Sequence, residues 1–174
     1  MFMAGILFSC VNDLDTIQKV TYDPKAPDET STNLEVLYTD SGYARVKIFA
    51  KLAETYSQPE RITKFKDGVE VDFFSDKGEV ISVLTALYGE VNFKTGLITV
   101  RDSVVLKNLR KHQSLETEEL FYNQNNDTIS TQKYVICKRD GEGVIGKGHG
   151  LKTTRFFNYF EILEPEGKVD LSKE

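Results

Sequence analysis

The sequence predicts an all-β fold, a bent antiparallel β-jellyroll with an open apolar groove, and three observations carry that prediction. The first is composition: Val, Ile and Thr are frequent, Tyr and Phe supply 8 and 11 residues, and there are only four prolines and no Trp. β-branched and aromatic side chains fit a pleated, half-buried surface. The second is duplication. Ile81–Tyr88 followed by Ile98–Leu106 reappears as Leu115–Tyr122 followed by Ile129–Cys137. Ile81 to Leu115 and Tyr88 to Tyr122 are both 34 residues apart, and Ile98 to Ile129 and Val104 to Val135 are both 31. Units that recur in this way bury their apolar faces by stacking on one another. The third is a matched break in the alternation. Ile81 and Val83 share one face of a strand, but Ala86 and Tyr88 follow at an odd step, and Leu115, Thr117, Leu120 and Tyr122 repeat it. The return strands carry an interruption between Ile98/Val100 and Val104/Leu106. A period-two strand keeps one face across an odd step only if it bends or bulges there. Long strands bending at matched positions make a folded-over sheet with one concave apolar side.

The bulk numbers bound the class of function. At 174 residues the chain is long enough for one domain with a real core. Its formal net charge is −5 and no Lys/Arg block occurs, which argues against a binder that tracks nucleic-acid phosphates. The two cysteines, Cys10 and Cys137, suggest no disulfide framework.

Taken in order, residues 1–10 read as a signal and lipobox segment with a start that is truncated or called too late. The apolar run Met1 to Phe8 is too short to span a bilayer and lacks a basic start. Leu7-Phe8-Ser9-Cys10 has the form of a bacterial lipobox, in which the Cys is lipidated. Residues 11–33 are polar, with Pro24 and Pro27, and read as a flexible tether, with a short helix around residues 15–20. Residues 34–163 are expected to form the β-jellyroll and 164–174 a polar tail. Within the jellyroll, residues 34–38 and 43–50 flank the turn Asp40-Ser41-Gly42, and residues 50–56 read as a strand and a weak third copy. Pro59 interrupts, Asp67-Gly68 reads as a turn, residues 69–73 alternate as a half-buried strand, and Asp76-Lys77-Gly78 turns into the duplicated section. Gly146, Gly148 and Gly150 read as a Gly-rich bend where sheets approach closely, because the Walker pattern of Gly-Lys-Ser/Thr opening a helix is missing. Residues 155–162 read as a final aromatic strand.

No catalytic set emerges. His112 and His149 have no partner at metal-ligand spacing, and neither a Gly-x-Ser-x-Gly elbow nor a Cys-x-x-Cys pair occurs. Glu116, Glu118 and Glu119 read as a solvated strand face rather than a glycosidase pair. Cys137 stands where Leu106 stands in the other copy, so it reads as a small buried hydrophobe. The expectation is a protein with no catalytic residue, metal or cofactor. An apolar groove is expected from Ile81, Val83, Ala86 and Tyr88, from Ile98, Val100, Val104 and Leu106, from Leu115, Leu120 and Tyr122, and from Ile129 and Val135. The same residues serve equally as plain core.

Leu115-x-Thr117-x-x-Leu120-x-Tyr122, Ile129-x-Thr131-x-x-x-Val135 and Gly146-x-Gly148 resemble the LptC family, the periplasmic component of the lipopolysaccharide export machinery. Tyr38 to Gly42, Asp67-Gly68-Val69 and Leu84-Thr85-Ala86-x-Tyr88 resemble the same family in its lipoprotein form. The resemblance covers roughly residues 34–162. It implies an OstA/LptC-like jellyroll that receives lipopolysaccharide, by its lipid A acyl chains, from an inner-membrane ABC transporter. The cargo would then pass to an LptA-like bridge protein through edge-to-edge stacking, with no chemistry in this component. A lipidated Cys10 in place of the family's transmembrane helix implies a periplasmic protein held at a membrane, the inner one by analogy. The alternative is a β-rich surface or periplasmic interaction lipoprotein that binds protein or glycan and carries no lipid.

Overall fold

The computed structural model describes Asp23 and residues 25–167. Cys10, the lipobox and the short helix expected around residues 15–20 lie outside the described residues. Ten strands follow in chain order: β1 (Glu29–Asp40), β2 (Tyr43–Tyr56), β3 (Ile62–Phe74), β4 (Val80–Ala86), β5 (Tyr88–Asn92), β6 (Leu97–Asn108), β7 (Gln113–Asn123), β8 (Thr128–Arg139), β9 (Gly143–Thr153) and β10 (Phe160–Pro165). They form one antiparallel meander, with each strand beside its neighbour in sequence. β4 and β5 are two pieces of one bent strand, broken at Leu87 and lying together between β3 and β6. β1 starts at Glu29, within the stretch expected as tether, because residues 29–32 pair with 52–55 of β2.

A line of bulges crosses the sheet and folds it in two. Asp67 and Gly68 on β3 together face Lys51 on β2. Asp102 and Ser103 on β6 face Glu118 on β7, and Gln132 and Lys133 on β8 face Gly150 on β9. Two residues opposite one is the count of a β-bulge, which bends its strand and increases the twist. Between β3 and β6 the ladder continues through Leu87, whose carbonyl accepts from the Gly68 amide at 3.0 Å and whose amide donates to the Asp102 carbonyl at 2.9 Å. The backbone on this line is left-handed at Asn33 (φ 51°), Asp67 (φ 62°), Asp102 (φ 66°) and Ser103 (φ 53°). Asn and Asp tolerate that region better than other non-glycine residues. Asp67-Gly68 therefore joins two halves of one strand instead of forming the expected turn between strands. The backbone requirement, positive φ, is the same in both settings, so the dipeptide could not tell them apart.

The bulges set a strict rhythm for the inward side chains. On β2, β4–β5, β7 and β9 they step by three residues at the line: Ala50 to Ala53, Ala86 to Gly89, Thr117 to Leu120 and Gly148 to Leu151. On β3, β6 and β8, which run the other way, they step by four: Phe65 to Val69, Val100 to Val104 and Thr131 to Val135. Each strand thus returns to the inner face after bending, and the two leaves of the folded sheet face each other. Phe73 of one leaf meets Tyr122 of the other edge-on, with ring centroids 6.1 Å apart.

From β4 onward the repeat has one period on outgoing and return strands alike. Val91 pairs with Ile98, Tyr122 with Ile129 and Thr153 with Phe160, each pair 31 residues after the last. Leu84 pairs with Leu106 and Leu115 with Cys137, again 31 apart. The 34-residue spacing expected for Ile81/Leu115 and Tyr88/Tyr122 is therefore a misalignment by three residues. Leu115 corresponds to Leu84, and Tyr122 to Val91.

The interior is densest towards the C-terminal strands. Leu106, Leu115, Ile129, Val135, Cys137, Leu151 and Phe157 are wholly inaccessible to solvent. At Gly148 the β10 backbone passes so close that a Cβ would lie 2.2 Å from the Glu164 carbonyl oxygen. The glycine is what lets β10 dock, as expected for a Gly-rich bend at a close approach. Residues 155–159 are not strand, in contrast to the expected aromatic strand over 155–162; strand begins at Phe160.

Two outcomes follow from this packing. Leu115→Ala leaves a cavity in a core with no room to relax, and should cost about 2–5 kcal/mol in urea unfolding. The Cys137 thiol is pushed up to about 12 by burial, from 9.0. The folded chain thus holds its proton after the unfolded thiol has ionised, so this contribution is whole below pH 9 and falls as pH rises towards 12. Measured by urea midpoints, wild type should lose more stability than Cys137→Ala between about pH 7 and pH 10.5.

Candidate binding groove

Where the two leaves part, towards the N-terminal strands, they enclose a cavity of about 220 Å³. For comparison, an apolar cavity of roughly 150 Å³ holds a benzene ring. One wall is Val46, Ile48, Val71, Phe73 and Leu84, and the facing wall is Phe65, Val91, Ile98, Val100, Leu120 and Ile129. Gly89 sits in the second wall because a side chain there would press on Phe65 and Val69, at 3.2 and 3.3 Å from its Cβ. The apolar lining follows from the bulge rhythm, which turns Val, Ile, Leu and Phe of every strand inward on both sides of the bend.

Polar groups gather at the mouth: Tyr38, Tyr122, Gln124 and Arg155. Arg155 is the one charged residue of the lining. Its guanidinium lies 3.7 Å from Asp127 and 4.8 Å from the centroid of the Phe156 ring. The Tyr122 hydroxyl donates to the same Asp127 carboxylate at 3.1 Å, and burial raises the phenol above its ordinary range. An apolar interior with a cation, hydroxyls and an amide at its entrance suits an amphiphile, with its chain inside and its head at the water boundary.

The thirteen expected groove residues divide three ways. Ile98, Val100, Leu120, Tyr122 and Ile129 line the cavity. Ala86, Val104, Leu106, Leu115 and Val135 are buried in the packed core beside it. Ile81, Val83 and Tyr88 lie on the opposite face of their strands, a correction that strand parity explains, although Ile81 is itself buried there. The inward residues there are Ser82, Leu84 and Ala86, then Gly89 and Val91. Tyr88 lies instead against Arg101, 4.4 Å from guanidinium carbon to ring centroid, and donates to Glu90 at 2.8 Å. The walls that sequence reasoning missed are Val46, Ile48, Phe65, Val71, Phe73, Leu84 and Val91. Applying the 31-residue period of the return strands to the outgoing strands would have found Leu84 and Val91.

The carboxylates considered for hydrolysis sit on the outer face, and Glu116 is held by Lys138 at 2.7 Å. Within the folded sheet the polar residues Ser82, Asn108, Gln113 and Thr153 all hydrogen-bond to the backbone of the segment joining β9 to β10. Among the described residues no buried side-chain donor or acceptor lacks a partner.

A search of curated proteins finds no match to this chain. Over residues 1–155, however, it matches the family described as lipopolysaccharide-assembly, LptC-related. With that match covering most of its length and its strands forming a bent all-β jellyroll, the chain belongs to the LptC-related family of lipopolysaccharide-assembly proteins.

Proposed function

We propose that this chain is a non-enzymatic carrier in the lipopolysaccharide transport bridge, holding lipid A acyl chains between the leaves of its folded sheet. The observation that carries this reading is the cavity, walled by aliphatic and aromatic side chains from both leaves with a single guanidinium at its mouth. An acyl chain gains about 0.8 kcal/mol for each methylene taken out of water. Contact of this kind is non-directional, so it holds a chain without fixing it in one register. A carrier must release its cargo, and dispersion and desolvation alone permit that.

The sheet has two ends, β1 and β10. β1 is a twelve-residue strand with neither Pro nor Lys, and unpaired edges of that kind take up partner strands. In this proposal one edge meets the inner-membrane ABC transporter and the other an LptA-like bridge protein, so that neighbouring grooves align. Lipidation at Cys10 would hold the chain at the periplasmic side of the inner membrane, with residues 11–28 as the tether.

A photo-crosslinking amino acid at Leu120 or Val91 should capture lipopolysaccharide in cells, and the same probe at Val83, on the outer face, should not. Capture from Val83 with none from the two cavity positions would refute the carrier reading. It would favour a protein- or glycan-binding lipoprotein, which should also fail to bring down transporter subunits and an LptA-like protein from solubilised membranes. Separately, Cys10→Ser should move the protein from the membrane to the soluble fraction on cell fractionation. Unchanged membrane association would remove lipidation as the anchor.

A further inference from the structure

Residues 154–159 do something that the equivalent stretch one repeat earlier does not. In that earlier copy Tyr122 pairs with Ile129, and pairing continues to Asn123 and Thr128 before a tight turn. Thr153 pairs with Phe160 in the same way, but pairing stops there. The six residues between them instead leave their own leaf, reach the rim of the opposite one and return.

Three buried polar side chains receive this strap on the opposite rim. Ser82 on β4 donates to the Phe156 carbonyl at 3.1 Å, Asn108 on β6 to the same carbonyl at 2.7 Å, and Gln113 on β7 to the Phe157 carbonyl at 2.7 Å. The three are register neighbours across adjacent strands. They are buried at inward positions of a mostly apolar face. The Phe157 ring is fully buried and stacks on Phe160 at 5.4 Å, while its backbone sits at φ 45°, a conformation that a bulky residue seldom adopts. At the base of the strap the Thr153 hydroxyl donates to the Tyr159 carbonyl at 2.6 Å, tying the two ends together as a pivot. Arg155, in the same strap, stands at the mouth of the cavity.

We propose that residues 154–159 are a latch across the open side of the groove, closed here, which lifts to let an acyl chain enter or leave sideways between the leaves. This rests on the carrier reading above. Apart from the Phe157 ring and the Arg155–Asp127 ion pair, the strap is held by hydrogen bonds, whose partners water can replace once the strap moves. The sheet hydrogen bonds stay intact when it does, because β9 and β10 pair outside the strap. The left-handed backbone at Phe157 is relieved on opening. A long connection would need none of these features merely to join two adjacent strands.

The test measures the rate at which a fluorescent fatty acid, cis-parinaric acid, enters the full chain, followed by stopped flow. Asn108→Ala with Gln113→Ala removes two hooks and should speed entry roughly tenfold, the change expected from losing two buried hydrogen bonds. Hydrogen exchange of residues 154–159 should rise without change in β6 to β8. Lys111→Cys with Asn158→Cys, in a Cys10→Ser chain, joins the strap to the rim through a short bis-thiol linker and should slow entry several-fold. The Lys111 ammonium already reaches the Asn158 carbonyl, so the tether spans an existing contact. Entry rates equal to wild type in both variants overturn the latch while leaving the carrier reading standing. If the double alanine variant does not fold, the tethered variant decides alone, and an unchanged rate overturns the latch. Absence of binding by any form, lipopolysaccharide included, overturns the carrier reading and the latch with it.

Discussion

The two-against-one bulge repeated across the sheet is the constraint on which the rest depends. An unbent antiparallel sheet of this width would expose one whole apolar face to water. With a bulge at the same height on β3, β6 and β8, the sheet folds along one line and buries that face against itself. The alternating steps of three and four keep Val, Leu, Ile and Phe inward on both leaves. Were one strand to lose its bulge, the residues on one side of the line would turn outward, because the side-chain period of a strand is two. Asn, Asp and Gly collect on the line because they are the residues that accept a left-handed backbone at least cost.

Packing then varies along the folded sheet, and that gradient separates core from groove. On one side of the bend Val104, Leu106, Leu115, Val135 and Cys137 of β6 to β8 are almost wholly buried, and the strap bonds to the rim beside them. The cavity lies nearer β2 and β3, walled by residues of both leaves, with Tyr38 and Arg155 in its lining. A dense end holds the leaves at a fixed opening, so the cavity does not have to be propped by its contents. Charged residues stay on the outside, where pairs such as Lys66–Glu54 at 2.6 Å and Lys138–Glu116 at 2.7 Å lie across neighbouring strands.

Membership of the LptC-related family places this architecture in lipopolysaccharide assembly. The physical features agree with carriage of an amphiphile. The interior is apolar, the entrance polar, and the nucleophile-like Cys137 is sealed in the core with its thiol held protonated. Three of the buried polar residues, Ser82, Asn108 and Gln113, hold the strap.

The sequence by itself determined the all-β class, the repeat, the existence of bends at matched positions and the burial of Cys137 in the place of Leu106. Those are local or periodic properties, written in side-chain type and parity. It placed Ile98, Val100, Leu120, Tyr122 and Ile129 on the inner face, where they line the cavity. Only the tertiary structure decided the register of β4 and β5, and so moved Ile81, Val83 and Tyr88 to the opposite face and Leu84 and Val91 to the inner one. The reason is that a strand with an odd step has two parities, and cross-strand register selects between them. Asp67-Gly68 was ambiguous in the same way, since a bulge and a turn ask for one backbone conformation. The strap over residues 154–159 was hidden for a further reason. Its aromatic residues look like strand, and what holds them across the mouth is Ser82, Asn108 and Gln113, about 40 to 75 residues away in sequence and adjacent only once the sheet has folded.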